Sequence, residues 1–480
     1  MNLSDYISAA PEMTLLGLIC VVLIADLFVD NEHRVLTFWM SIAALAITAG
    51  TLFATAPVDR VIVFDGSYVS DSLSQVLKIS AVGFVAVAFL YARDYLRANG
   101  LHKGEYYILG LLGLLGMMIM ISANSLLIMY MGLEMLALSL YALVAIDRNN
   151  ATSAESAMKY FVLGAIASGS LLYGISWIYG VTGTLKFDEI AMAISANPEL
   201  NSLPLWFGLA FVIVGVAFKF GAVPFHMWLP DVYQGARTPV TLYLASAPKL
   251  AALALTIRIL VDGLGELHDV WSDMVMVVAV LSLLVGNVIA IAQTNIKRML
   301  GYSTIAHVGF ILLAVFCGTE KGYAASLFYT LTYIVAAAGA FGIVILLSRR
   351  GYEAENISDF KGLNARSPWF ALMMMFIMLS LTGIPPFIGF FGKLYVIDAV
   401  LSSGFPGLAV LMVLASVVGA FYYLRVIWYM YFEQNEDQAV LQASIDTRLV
   451  LSLNGVAVLA LGIMPGWLWA LCTQIALSIR

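Results

Sequence analysis

Hydrophobic residues in this chain run in long, nearly unbroken blocks separated by brief polar punctuation. A helix needs about 20 apolar residues to cross the hydrocarbon core of a bilayer, and a helix satisfies its own backbone there. Fourteen such blocks are legible, at residues 12–30, 36–55, 73–92, 105–122, 124–146, 156–181, 204–229, 238–261, 270–292, 299–317, 323–348, 368–396, 406–432 and 449–475. Only the polar SANS at 122–125 divides the fourth from the fifth. The pattern predicts an all-α integral membrane protein of about 14 transmembrane helices.

Composition agrees. Of 480 residues, 62% are hydrophobic and 11% charged, against about 25% charged in ordinary soluble domains. The longest polar stretches, 182–203 and 349–367, are too short for a folded domain. The chain therefore reads as one membrane domain over 1–480, and its chemistry must lie in or beside the bilayer. No Lys or Arg precedes Arg34, so the first block lacks the basic flank of a cleaved signal and is expected to be retained. Cys20, Cys317 and Cys472 are isolated in apolar surroundings, a spacing that builds neither a cluster site nor a disulfide framework. No glycine-rich nucleotide loop and no basic patch for nucleic acid are present.

Charge sets an expected orientation. Loops after odd-numbered spans hold thirteen basic residues: Arg34, Arg93, Arg97, Lys103, Arg148, Arg237, Lys297, Arg298, Arg349, Arg350, Lys361, Arg366 and Arg448. Loops after even-numbered spans hold three, Arg60, Lys186 and Lys321. The positive-inside rule then makes the odd loops cytoplasmic and puts both termini outside.

Seven basic residues remain within the spans: Lys78, Lys159, Lys219, Lys249, Arg258, Lys393 and Arg425. Glu134, in MYMGLEMLALSLYALVA, is the clearest acidic counterpart, and Asp26 lies near a span end. A charge at mid-membrane costs about 3 kcal/mol even on lenient scales. Lys78, Asp26 and Arg425 lie near enough to span ends to snorkel. Arg258 is intermediate. Lys159, placed in the first turn of its span, reads equally as an anchor or a functional group. Glu134, Lys219, Lys249 and Lys393 are too central to snorkel, and one structural salt bridge cannot serve three lysines. A buried lysine can be toggled between charged and neutral by a nearby carboxylate, which suits it to carrying protons.

Two spans carry helix breakers beside a lysine. In VAFKFGAVPFHMWLPDVYQGA, Pro224 should end the helix just after Lys219. In LTGIPPFIGFFGKLY, Pro385 and Pro386 interrupt the helix ahead of Lys393. Non-helical backbone at membrane depth is tolerated where it lines a wet cavity or is buried in protein. The two lysines fall in the seventh and twelfth spans, and AIASGSLLYGI (165–175) loosely echoes AAAGAFGIVIL (336–346). Spans 4–8 and 9–13 are thus expected to form two five-helix repeats, 105–261 and 270–432, the second inverted because five is odd. Residues 1–104 supply three preceding helices and 449–480 a last one. His307, in GYSTIAHVGF, is read either as a relay between the halves or as a packed histidine. His226 with Asp231 either lines an entrance or forms a polar helix end.

In combination, GLEMLALSLYALVA, AESAMKYFVLGA, FKFGAVPFHMWLPDVYQGA, ASAPKLAAL, QTNIKRMLGYSTIAHVGF and LTGIPPFIGFFGKLYVI resemble the antiporter-like membrane subunits of respiratory complex I, the NADH–quinone oxidoreductase. The likeness covers essentially the whole chain. Within the family it is nearest to the branch that ends without a long lateral helix and carries a lysine, here Lys393, in the twelfth span. The resemblance implies a translocase subunit that moves protons through Glu134, Lys219, Lys249, His307 and Lys393, with Lys159 as a further lysine. It implies no redox chemistry in this chain: FMN, iron–sulfur clusters and quinone would belong to partner subunits. The implied partners are neighbouring antiporter-like and small membrane subunits, and lipid. The implied location is a bacterial inner membrane in preference to a mitochondrial one. A subunit of a multisubunit sodium–proton antiporter or of a membrane-bound hydrogenase is the alternative, with nearly the same residues and different neighbours.

Overall fold

The computed structural model describes residues 3–30, 34–348, 350–434, 441 and 444–479; Arg349 falls outside them. Among the described residues, twelve helical segments are long and apolar enough to cross a membrane, from Val35–Ala54 to Ile445–Ile463. Ala10–Asp26 stands where the first span was expected, and the shorter apolar Pro368–Thr382 opens the twelfth. The described residues are all-α apart from one small hairpin, Val61–Val63 with Tyr68–Ser70.

Several boundaries differ from the sequence reading. The first span ends early, at Asp26, where the carboxylate accepts from Arg34 and Thr37, each at 2.6 Å. The sixth begins at Ala151, because Asn150 caps its first turn, so Lys159 sits two turns inside rather than in the first. The eighth, expected to be continuous, is interrupted: Thr238–Ala245 stops, Ser246 leaves helical geometry, and Pro248–Thr256 restarts. The signal was Pro248, which lacks the donor a continuing helix needs.

Among the described residues, ion pairs between loops join loops of one parity only. Arg237 holds Asp147 at 2.5 Å and Glu353 at 3.2 Å, and Arg93 holds Asp446 at 2.6 Å, all after odd spans. Arg60 meets Asp262 at 3.5 Å and Lys321 meets Asp398 at 2.7 Å, all after even spans. The odd and even loops thus form two opposite faces, as alternating spans require.

The internal repeat is written in the backbone. Leu126 N–H donates to the Leu185 carbonyl and Phe187 N–H to that of Asn124. Ile296 donates to Glu355 and Ile357 to Thr294 in the same pattern, so that Leu126 corresponds to Ile296 and Leu185 to Glu355. Helix contacts repeat in the same register. A Cβ on Gly116 would meet Leu136 N at 2.6 Å, and one on Gly286 would meet Ala306 N at 2.6 Å. Small residues allow this close approach, which in a membrane takes over from the hydrophobic effect.

The eighth, tenth and eleventh spans are nearly wholly buried, while the second, sixth, thirteenth and fourteenth turn most of their residues outward. The eighth and tenth spans, which carry Lys249 and His307, therefore occupy the centre.

Candidate functional site

Both broken spans stop in the same way. Leu203–Phe220 ends at Gly221, with φ +76°, and Pro368–Thr382 at Gly383, with φ +90°, a conformation glycine adopts without steric penalty. Each prolyl break then follows shortly after, at Pro224 and Pro386, with Pro385 beside the latter. Each stop leaves carbonyls without helical partners. A buried lysine takes one in each half. Lys249 Nζ donates to the Phe220 carbonyl at 2.8 Å, and Lys393 Nζ to the Thr382 carbonyl at 2.8 Å. An ammonium at the negative end of a helix is favourable. Lys249 on the eighth span and Lys393 on the twelfth thus make the same bond from spans that do not correspond. Lys219 and Lys393 stay on the two corresponding broken spans, Lys219 ahead of its break and Lys393 beyond its own.

Lys219, in the last turn before the break, lines a cavity of about 20 Å³ with Ser168, Tyr141 and Tyr160, room for about one water. Ser168 Oγ donates a short hydrogen bond to Glu134, which, among the described residues, no lysine approaches within the 4.0 Å of a direct ion pair. Ser168 thus bonds the carboxylate and lines the same cavity as Lys219.

A second cavity, of about 10 Å³, occupies the matching place in the other half, lined by His307, Tyr329, Tyr333, Ser380 and Leu381. With Gly221 aligned on Gly383, Leu381 takes the place of Lys219 just ahead of the stop. With Leu126 aligned on Ile296, Ala137 takes the place of His307. The titratable group thus comes from the broken span in one half and from the tenth span in the other. His307 is fully engaged, with Nδ1 2.7 Å from the Tyr329 hydroxyl and Nε2 2.9 Å from that of Tyr423, which also bonds Ser303.

The other expected residues lie elsewhere. Lys159 is exposed and pairs with Asp231 and Glu155, each at 2.9 Å, away from Glu134. Asp231 also holds Arg298 of the tenth span at 2.6 Å, and Arg298 reaches Gln234 at 3.1 Å. His226 is half-buried, its Nδ1 without a partner. Lys78 does not snorkel: it is buried against Glu12 at 2.5 Å and Tyr68 at 2.8 Å. Arg258 is likewise buried, between Asp71 at 2.8 Å and Asp262 at 2.9 Å. Arg425 is half-buried and donates to the carbonyls of Ile291 and Gln293.

Sequence reasoning missed Ser168, Tyr329, Tyr423 and Ser303; polar side chains recurring within apolar spans were the available signal. Among the described residues, no group of three or more His, Cys, Asp or Glu is placed to hold a metal.

Residues 123–419 match the family described as NADH:quinone oxidoreductase/Mrp antiporter, TM. A protein from Thioalkalivibrio sulfidiphilus named NADH-quinone oxidoreductase subunit N is 54% identical over 473 residues, 98% of each chain. A chain of respiratory complex I from Thermus thermophilus superposes with a TM-score of 0.81 at 31% identity, covering 96% of this chain and 98% of that one. A chain of the membrane-bound sulfane sulfur reductase, an archaeal respiratory membrane complex, gives 0.87 at 26% identity, covering 98% and 97%.

Proposed function

The chain belongs to the NADH:quinone oxidoreductase/Mrp antiporter family, and from that membership we propose that it is the proton-translocating subunit N of a bacterial NADH–quinone oxidoreductase. Subunit N is the branch to which the sequence resemblance was nearest. The observation that carries the reading is the paired device: in each half a broken helix, a lysine on its free carbonyl and a cavity with a titratable group.

In this reading quinone reduction in partner subunits moves charge towards or away from Glu134. The Ser168 bond holds the carboxylate in one position, and its release lets Glu134 act on Lys219 across the cavity. A proton on Lys219 passes to Lys249 when the latter is the neutral amine, its Nζ 2.8 Å from the carbonyl next to Lys219 in sequence. It continues to His307 and Lys393. Among the described residues no hydrogen bond spans the interval from Lys249 to His307, so that step needs water. Lys159 acts with Asp231 and Arg298 at the mouth of the first half rather than as a carrier. The two five-helix repeats, 105–261 and 270–432, are the units that the breaks divide. The odd-loop face, rich in lysine and arginine, is the cytoplasmic one, both termini lie on the opposite side, and the membrane is the bacterial inner membrane. FMN, iron–sulfur clusters and quinone sit in partner subunits.

Gentle solubilisation of the tagged chain from its native membrane tests this. Co-purification of flavin- and iron–sulfur-bearing subunits with NADH–quinone activity is expected. An all-membrane assembly without redox centres would instead place the chain in a sodium–proton antiporter.

A further inference from the structure

On the odd-loop face a groove of about 930 Å³ opens between the first, fourth and fifth spans. Its walls are apolar, from Leu23, Leu109, Leu112 and Ala142, and its mouth carries Arg34, Lys103 and Arg148. Two acids share that mouth, and both are engaged: Asp26 with Arg34 at 2.6 Å and Thr37, Glu105 with Arg148 at 3.2 Å. Donors are left over. Lys103 is exposed and has no side-chain partner among the described residues, and the buried Nε of Arg34 is unpaired. The three basic residues come from three different loops, so the fold, and no local run of sequence, gathers them. A cationic mouth over an apolar trough, at the end of membrane helices, complements one phosphodiester headgroup with its acyl chains. Its size is at the upper end of small-molecule sites.

We propose that this groove binds an anionic phospholipid, its phosphate between Lys103 and Arg34 and an acyl chain along Leu109 and Leu112. Bound there, the lipid ties the first span to the fourth and fifth, the last of which carries Glu134. The site is independent of the proton route and does not rest on it.

The test uses the assembled complex purified from the native membrane, with phosphatidylglycerol and phosphatidylcholine each bearing a photoreactive group in the acyl chain. Labelled peptides are mapped. Phosphatidylglycerol is expected to label residues 108–112 at least tenfold more than phosphatidylcholine. Lys103→Glu, which alters an exposed side chain, should reduce the label severalfold, and Ala142→Trp should exclude the acyl chain. Equal labelling by the two lipids, or unchanged labelling in both variants, overturns the proposal. Loss of label to excess inorganic phosphate would make the mouth a free-anion site, and a neighbouring subunit cross-linked at 108–112 would make the groove a protein interface; either result also overturns it.

Discussion

The hydroxyl of Ser168 decides how Glu134 presents its charge. A hydrogen bond to a carboxylate contributes about 1.5–3 kcal/mol, enough to bias where the side chain rests between turnovers. Ser168→Ala is expected to slow coupled NADH–quinone turnover about tenfold, the equivalent of ~1.4 kcal/mol, while Ser168→Thr retains most of it. Turnover of the assembled complexes checks this, and equal rates in the two variants would remove Ser168 from the switch. Glu134→Gln should impair turnover more than Glu134→Asp, because acting on Lys219 requires the charge. At this scale the sequence was legible in type and not in partner. Glu134, Lys219, Lys249 and Lys393 stand out because charge is rare at membrane depth. That Glu134 meets Ser168, and that Lys159 meets Asp231, depends on how helices distant in sequence pack.

The two interrupted helices set the positions of the lysines through glycine. Gly383 has φ +90°, and a Cβ there would come within 2.9 Å of Lys393 Cδ. A non-glycine residue in this region costs about 1–2 kcal/mol, and the contact would push the ammonium off the Thr382 carbonyl. Gly383→Ala is therefore expected to lower proton pumping severalfold in complexes that still assemble. Gly351→Ala, also at positive φ (+74°) but facing open space in a loop, should leave pumping intact. Proton uptake by proteoliposomes separates the two, and equal pumping would show that the Gly383 stop does not position Lys393. The breaks at Pro224 and Pro385–Pro386 were readable because proline acts locally. The break in the eighth span was missed although Pro248 marks it, since a proline in the first turn of a helix looks the same whether or not another helix precedes it. The offset in register between the two halves was hidden for another reason. Phe187 corresponds to Ile357 and Gly221 to Gly383, yet the segment joining the first of each pair is longer than the segment joining the second. One spacing therefore cannot align both parts of the repeat.

Across the whole molecule, one buried ion pair ties the N-terminal helices to each other and another ties them to the eighth span. Glu12 and Lys78 join the first span to the third, and Asp71 with Arg258 joins the third to the eighth. Burial alone would raise the Asp71 carboxyl; Arg258 overrides this and holds it down at about 2. A depressed carboxylate stabilises the fold above its unfolded value, near 4, and loses that contribution as pH falls through about 2, so this pair persists at every physiological pH. Removing one partner of a buried pair costs about 3–5 kcal/mol, whereas replacing both by apolar residues is often neutral. Glu12→Ala should sharply reduce the yield of complex, and Glu12→Leu combined with Lys78→Met should restore it; immunoblots of assembled complex read both. At the largest scale the two halves share a backbone plan and differ in where the titratable group enters each cavity, which suits consecutive stations of one route. Proton uptake per NADH oxidised, measured in proteoliposomes containing the assembled Lys219→Ala complex, tests that most directly. Slower turnover and fewer protons moved per NADH than in the unaltered complex are expected. Unchanged stoichiometry and rate in a fully assembled Lys219→Ala complex would contradict it.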